Sequence, residues 1–243
     1  MTTASPAPRP SLDALPADVR QRLDALCDGL AKALGDGLVA VIVFGSAARG
    51  AWRAGKSDVD VMVVLRDDSR EALGRAAHPL LVARYAARIE AILLRESEVS
   101  RASDVFPLLY DEVREDGVVV RGESPFAKLH ISDKHRRLRI EQELREARIR
   151  MRRMVTDGDG APAALAGVVD RKLRQVRSPL RALLRLDGSD PGSGLDEVVR
   201  AAGARFNVDV AAFARAAEDA AGAYDALARL LDAAIDDVDK REE

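Results

Sequence analysis

The sequence predicts an α+β protein in which a small mixed β-sheet flanked by helices is followed by an all-α helical bundle. Two observations support this prediction. Short runs of strand-forming residues alternate with helical stretches as far as residue 123. From Lys134 onward, apolar residues recur only at helical spacing. We therefore divide the 243 residues into a disordered tail (1–10), a sheet-containing domain (11–130) and a C-terminal helical bundle domain (131–243).

Composition predicts a globular protein without a membrane segment. Hydrophobic residues make up 47% of the chain and charged residues 32%, which is ordinary for folded domains. No apolar run approaches the roughly 20 residues that are needed to cross a bilayer, and the first residues lack the apolar core of a secretion signal. Cys27 is the only cysteine, so no internal disulfide can form, and we predict a cytoplasmic protein.

Charge is distributed unevenly along the chain. Residues 134–185 contain 15 Lys and Arg against 6 Asp and Glu, whereas residues 186–243 contain 6 and 14. Two explanations are open: helices that neutralise each other by packing, or a positive surface on residues 134–185 for a polyanion such as RNA. Aromatic residues are only 4% of the chain, which weighs against an RNA-stacking surface.

Residues 11–34 predict the first helix. Apolar residues that include Leu23, Leu26 and Cys27 recur there at helical spacing, and Ser11 provides the cap. Glycines after residue 34 end the helix. We interpret Cys27 as a small buried side chain and not as a reactive thiol.

Two runs of strand-forming residues follow at 38–44 and 59–65, with a polar loop between them. The first run stops at Gly45 and Ser46. A glycine there lets a phosphate approach the backbone, and the serine offers a hydroxyl group and a helix start. The cations available to neutralise this phosphate are Arg49 and Lys56. Solvated surface charge is the alternative explanation for both.

Asp58 and Asp60 stand at the start of the second run. Because side chains alternate along a strand, both carboxylates point the same way, while Val59 and Val61 pack behind them. Two negative charges in one small volume repel each other unless a divalent cation lies between them. Hard oxygen ligands favour magnesium or manganese, so this pair is a candidate metal site.

The rest of the first half predicts two helices and two strands. After the second run we expect a loop and then a helix that is interrupted or bent near Pro79. A short strand begins at Ile89. A helix at 108–114 then leads into a closing strand at 118–120.

The second half predicts four or five helices that form a bundle. The first begins at Lys134 and carries apolar residues along one side with arginines around the rest. A GDGAP sequence ends it, and Pro179 marks a bend in the second helix. Residues 195–203 and 209–239 give two more helices.

The first half resembles a known superfamily. Phe44-Gly45-Ser46, a spacer of residues 47–57 and then Asp58-Val59-Asp60 are similar to the signature of the nucleotidyltransferase superfamily that includes DNA polymerase β. Within it, FGSAARG followed by SDVD looks most like the minimal and aminoglycoside-type nucleotidyltransferases. The resemblance runs from about residue 20 to residue 123 and implies the nucleotidyltransferase fold.

The resemblance implies a third carboxylate on the strand that begins at Ile89. Glu90 matches that position, although the family often has aspartate there, and glutamate moves the carboxylate one methylene further out. A charge at a strand edge is the alternative interpretation. Glu96, Glu98 and Asp104 fall beyond the strand, in a predicted loop, and suit the role less well.

The implied reaction transfers a nucleoside monophosphate from a nucleoside triphosphate to a hydroxyl group and releases pyrophosphate. AMP from ATP is the expected donor group, and Mg²⁺ or Mn²⁺ is the expected cofactor. The implied metal and catalytic residues are Asp58, Asp60 and Glu90. The implied nucleotide-binding residues are Gly45, Ser46, Arg49 and Lys56.

Three acceptors or roles are open. The hydroxyl acceptor is a small molecule such as an aminoglycoside, or a macromolecule, meaning a protein or an RNA, in a toxin–antitoxin or defence system. The third possibility is a regulatory module that binds nucleotide without turnover. The helix order of the second half is similar to the helical domain of aminoglycoside nucleotidyltransferases and to HEPN-type bundles. All three histidines precede the bundle or lie at its edge, so we expect no ribonuclease activity.

Overall fold

The computed structural model describes residues 10–158 and 161–241. The chain divides into two compact units, Met1–Ile131 and Ser132–Glu243. The predicted disordered tail at 1–10 lies outside the described residues except for its last residue. The catalytic role of the first unit stays a prediction.

The first unit contains four strands and five helices among its described residues. In chain order they are α1 (Ala17–Leu34), β1 (Leu38–Phe44), α2 (Gly45–Ala48), β2 (Val59–Leu65), α3 (Arg70–Ala87), β3 (Ile89–Arg95), α4 (Glu96–Arg101), α5 (Pro107–Asp116) and β4 (Val118–Gly122). A single 3₁₀ turn links α1 to β1. The first two strands coincide with the two predicted runs at 38–44 and 59–65.

The four strands form one mixed sheet in the order β3-β2-β1-β4. Strand β1 is antiparallel to both β2 and β4, whereas β2 and β3 run parallel. The predicted small mixed sheet with flanking helices is thereby confirmed. A parallel pair needs a crossover connection, and α3 provides it between β2 and β3.

The sheet is covered on both faces, which explains why β1 and β2 are continuous apolar runs. On one face, Val41 and Val63 pack in a cluster that includes buried residues of α1 and α3. On the other face, Ile42 and Met62 pack with Tyr110 of α5 and with the ring of Phe126. The Tyr110 and Phe126 rings meet edge to face, with their centroids 5.0 Å apart.

Three local predictions in the first unit differ from the structure. Helix α1 begins at Ala17 and not at residue 11, because the Ser11 hydroxyl bonds locally to Asp13 and caps no helix. The helix α3 continues through Pro79, so it is not interrupted there, whereas the alternative of a bend stays a prediction. The predicted loop after β3 contains α4, whose first turn is fixed by the Glu98 carboxylate accepting a hydrogen bond from the Arg95 N–H at 2.9 Å.

The second unit is entirely helical in its described part, as predicted. Its helices are α6 (Asp133–Asp157), α7 (Pro162–Leu186), α8 (Leu195–Phe206), α9 (Ala211–Ala214) and α10 (Ala220–Asp239). The helix predicted at 209–239 is divided into α9 and α10, because the Asp219 carboxylate caps a new helix by accepting from the Gly222 N–H at 2.8 Å. Pro179 lies inside α7.

Ion pairs join the basic and acidic parts of this bundle. The Arg145 guanidinium of α6 donates to Asp239 at 2.7 and 2.8 Å, and Arg148 donates to Asp232 of α10 at 2.8 Å. Within α6, further arginines pair with glutamates four residues away, as Arg139 does with Glu143. These contacts support the explanation that the basic and acidic helices neutralise each other by packing.

Helix length and hydropathy also bear on membrane insertion. Across residues 10–158 and 161–241, no helix combines the length and the apolar character that a membrane span requires.

Candidate active site

Gly45 forms a sharp turn at the end of β1. Its φ of +70° lies in the region that favours glycine. A Cβ atom at this position would lie 2.6 Å from the Asp60 Oδ2 atom, which is closer than any ordinary contact. The Ala51 N–H then donates to the Ser46 carbonyl oxygen at 2.9 Å and closes the turn. Both the conformation and the space at residue 45 therefore require glycine.

Asp60 lies at the centre of the candidate site. Strand pairing places it opposite Phe44 on β1 and opposite Glu90 on β3. Side chains of paired positions lie on the same face of a sheet, and Asp58, two residues earlier, shares that face. Val59 and Val61 are fully buried on the opposite face. The strand register therefore brings the three predicted carboxylates to one face of the sheet.

The electrostatics of Asp60 reflect this crowding. Burial, together with the negative charges of Asp58, Glu112 and Glu90, raises the pKa of Asp60 from 3.8 to about 6, while Arg49 opposes them. A carboxyl group is stabilised in its neutral form when it is desolvated among like charges. The site is therefore short of positive charge close to Asp60.

Arg49 and Glu112 form a largely buried ion pair beside Asp60. The Arg49 guanidinium donates to the Glu112 carboxylate of α5, and the two side chains are only 11% and 15% exposed. Sequence reasoning missed Glu112, because it is one of several acidic residues on an ordinary amphipathic helix. The only signal was indirect, since an arginine that follows a buried turn needs a counter-ion.

Two arginines near the end of α3 hold the other carboxylates. The Arg88 Nε atom donates to Asp58 Oδ1 at 2.7 Å, and the Arg84 Nε atom donates to Glu90 Oε1 at 3.0 Å. Arg88 also donates to the Gly55 carbonyl oxygen at 3.2 Å, which ties the loop between β1 and β2 to α3. Neither arginine was predicted to belong to the site.

The remaining predicted residues are Ser46 and Lys56. Ser46 lies in α2, half-buried, directly after the Gly45 turn. Lys56 is exposed on the loop before β2. In the described part of the chain, no ion pair joins its side chain to the three carboxylates.

The carboxylates of Asp58, Asp60 and Glu90 are suitable ligands for a divalent cation, although their side chains are not arranged around a common metal position. Among the described residues, no group of three or more His, Cys, Asp and Glu side chains is arranged to hold a metal ion. Asp58 and Glu90 are directed to arginines instead. However, carboxylate oxygens are the ligands that Mg²⁺ prefers, and the raised pKa of Asp60 marks a place where added positive charge is favourable.

Comparison with known proteins agrees with this geometry. Residues 27–120 match the family model of the nucleotidyltransferase domain, a range that contains Gly45, Asp58, Asp60 and Glu90. No curated protein matches the chain.

Among solved structures, the chain is similar to the spectinomycin adenyltransferase AAD(9) from Enterococcus faecialis, a structure with ATP and spectinomycin, at a TM-score of 0.56. The identity is 13%, and the match covers 88% of this chain and 99% of that one. At this identity the likeness shows the fold alone. The family match over residues 27–120 identifies a nucleotidyltransferase domain, which is consistent with a member of the polymerase β-like superfamily.

Proposed function

We propose that this chain transfers AMP from ATP to a hydroxyl group of a small molecule, releases pyrophosphate and depends on Mg²⁺. The observation that carries the proposal is the position of Asp60, which lies between the Gly45 turn and Glu90 in a nucleotidyltransferase domain. The adenyltransferase of similar fold, solved with ATP and a small acceptor, supports the choice of nucleotide and of acceptor class.

In this proposal the triphosphate lies against the Gly45 turn. The missing side chain lets a phosphate approach the main chain, and the Ser46 hydroxyl donates to a phosphate oxygen. Lys56, on the exposed loop, supplies a cation. Arg49 is engaged by Glu112, which favours a role in neutralising Asp60 over direct contact with phosphate.

Asp58, Asp60 and Glu90 would hold Mg²⁺. When bound, the metal neutralises the phosphates and stabilises the charge that develops on the attacking and leaving oxygens. The acceptor oxygen attacks the α-phosphorus atom, the bond from that atom to the bridging oxygen of pyrophosphate breaks, and Glu90 takes the proton of the acceptor hydroxyl. Most of the rate enhancement then comes from position and charge, so no nucleophilic side chain is needed.

The experiment is a labelling assay with the full chain. Each radiolabelled nucleoside triphosphate is incubated with Mg²⁺ and with separate pools of aminoglycosides including spectinomycin, tRNA and lysate protein. We expect label from ATP in the small-molecule pool, and loss of that label in Asp60→Asn but not in Asp68→Asn. Asp68 pairs with Arg95, outside the three carboxylates.

Other results would revise the proposal in defined ways. Label in tRNA or in lysate protein would replace the small-molecule acceptor with a macromolecule. Absence of label from every pool, together with equal nucleotide binding by wild type and Asp60→Asn, would overturn the enzyme proposal. A cytoplasmic location belongs to the same proposal, because ATP is the donor and the single cysteine is a buried thiol.

A further inference from the structure

Each of the two outer carboxylates of the candidate site is paired with an arginine at the C-terminal end of α3, where Arg84 lies in the last turn and Arg88 is the C-cap residue. Asp58 accepts from Arg88, and Glu90 accepts from Arg84. These are two of the three carboxylates that the proposed function assigns to the metal. The arginines therefore occupy carboxylate oxygens that a divalent cation would need.

These two pairs differ in exposure from the pair of Arg49 and Glu112. The Arg88 and Asp58 side chains are 54% and 42% exposed, and those of Arg84 and Glu90 are 57% and 43% exposed. Exposed ion pairs contribute little free energy, at most about 1 kcal/mol each. The pairs of Arg84 and Arg88 can therefore open at little cost, whereas the Arg49 pair, whose side chains are 11% and 15% exposed, is largely buried.

The main chain of Arg88 is held firmly although its side chain is exposed. Its φ of +52° is unusual for a residue other than glycine. The Val59 N–H at the start of β2 donates to the Arg88 carbonyl oxygen at 3.0 Å, and the Arg88 N–H donates to the Arg84 carbonyl oxygen at 2.9 Å. The Cα atom of Arg88 is therefore fixed near Asp58, while its guanidinium group can rotate to another partner.

We propose that Arg84 and Arg88 are exchangeable counter-ions, which hold Glu90 and Asp58 in the metal-free chain and move to the triphosphate when a metal–nucleotide complex binds. This inference rests on the proposed function, and it names two positioning residues that the family signature does not include. Because Arg88 also binds the Gly55 carbonyl oxygen, its movement releases the loop that carries Lys56.

The charge balance explains why the metal and the nucleotide would arrive together. A bare divalent cation that takes Asp58 and Glu90 leaves two guanidinium groups without partners and close to its own positive charge. A metal–triphosphate complex brings phosphate oxygens, which bind guanidinium groups in charge-assisted hydrogen bonds. The two arginines therefore weaken the binding of metal alone and strengthen the binding of metal with nucleotide.

The test uses two binding measurements on the full chain. Mn²⁺ binding without nucleotide is followed by the loss of the free-ion electron paramagnetic resonance signal. Binding of a non-hydrolysable ATP analogue with Mg²⁺ is followed by calorimetry. The variants are Arg88→Met, Arg84→Met and the conservative Arg88→Lys, and the matched control is Arg95→Met, whose guanidinium pairs with Asp68 at 3.2 Å.

We expect opposite changes in the two affinities. Arg88→Met and Arg84→Met should each bind Mn²⁺ alone about threefold to fivefold more tightly, as the loss of an exposed pair allows. Each should bind the analogue with Mg²⁺ about tenfold more weakly, since a phosphate contact is lost. Arg88→Lys should recover part of the analogue affinity, and Arg95→Met should change neither. Damage to the fold would instead weaken both affinities together.

The inference is overturned if Arg88→Met and Arg84→Met bind Mn²⁺ no more tightly than wild type does. If wild type still transfers label from ATP in that case, only the inference fails and the proposed function stands. If no form of the protein binds Mn²⁺ or the analogue, both fail. Should Arg88→Met not fold, as a thermal melt would show, Arg84→Met decides the outcome, because residue 84 lies within a regular helix.

Discussion

Gly45 forms the turn at the end of β1 and also lies against the Asp60 carboxylate of the candidate metal site. The sequence predicted its closeness to phosphate, and the structure adds its closeness to Asp60. Ser46, Asp58 and Asp60 were predicted for the same reason, since each lies at the end or the start of an apolar run. Glu112, Arg84 and Arg88 were not predicted, because helix packing and not sequence spacing brings them to the sheet.

Gly45→Ala is expected to damage both stability and activity. The new methyl group would meet the Asp60 carboxylate at 2.6 Å, in a backbone conformation with a φ of +70°. Strain of this kind costs about 1–3 kcal/mol, and it would be measured by urea unfolding beside the AMP-transfer assay. The control is Gly74→Ala on α3, where a Cβ atom meets nothing within 4 Å and alanine should stabilise the helix. Equal stability of Gly45→Ala and wild type would contradict this account of the turn.

Asp60→Asn is expected to stabilise the metal-free protein at pH 8. The pKa of Asp60 is about 6 in the folded chain, above the 3.8 of the free group. The folded state therefore holds a proton that the unfolded state releases, and wild type loses stability as the pH rises from about 4 to above 6. Asparagine carries no charge at any pH, so the Asp60→Asn variant does not lose stability in this way.

The size of this effect and its measurement follow from the same pKa. The difference corresponds to roughly 3 kcal/mol, which solvent screening of a partly exposed group reduces to about 1–2 kcal/mol. Urea unfolding in the presence of a chelator at pH 5 and pH 8 would measure it. The gain of Asp60→Asn over wild type should be larger at pH 8, and a gain that is larger at pH 5 would refute the assignment.

At the scale of elements, prediction succeeded where a run of one residue class has clear ends. The strands β1 and β2 are runs rich in β-branched residues, with glycine or aspartate next to them, so the ends of both strands could be predicted. The helix α4 was missed because it is short and polar, with only Val99 buried. The break between α9 and α10 was missed because Asp219 alone marks it within an alanine-rich run.

The packing of α6 against α10 predicts weak RNA binding by the native chain. Asp232 and Asp239 engage Arg148 and Arg145, and without these aspartates each arginine would lose its charge partner on α10, although Arg145 also pairs with Glu141. The double variant Asp232→Asn/Asp239→Asn should therefore bind tRNA about threefold to tenfold more tightly than wild type. The slope of log affinity against log salt should steepen by about one to two.

A salt titration by fluorescence anisotropy would measure this difference. The control, Asp18→Asn/Asp36→Asn, changes the net charge by the same amount, and neither carboxylate pairs with an arginine in the described part of the chain. If this control gained as much affinity as the α10 variant, net charge and not the release of arginines would be the cause.

At the scale of the whole molecule, the change from strands to helices near residue 130 was predictable, because strand-forming runs cease there. The partners of the arginines were not predictable, because α6 and α10 are separated in sequence by the three helices α7, α8 and α9. Sequence spacing indicates the period of a helix. It does not indicate which helix a given face will meet, and the pairs of α6 with α10 that support mutual neutralisation depend on that information.

The order of the helices also has a consequence for synthesis of the chain. A ribosome makes residues 134–185, with their excess of arginine, before it makes the aspartates of α10. Until α10 is made, Arg145 and Arg148 lack the aspartates with which they pair in the folded bundle. Formation of α10 then places Asp239 and Asp232 beside these arginines, so the charge balance of α6 depends on a helix that is made later than the arginines it neutralises.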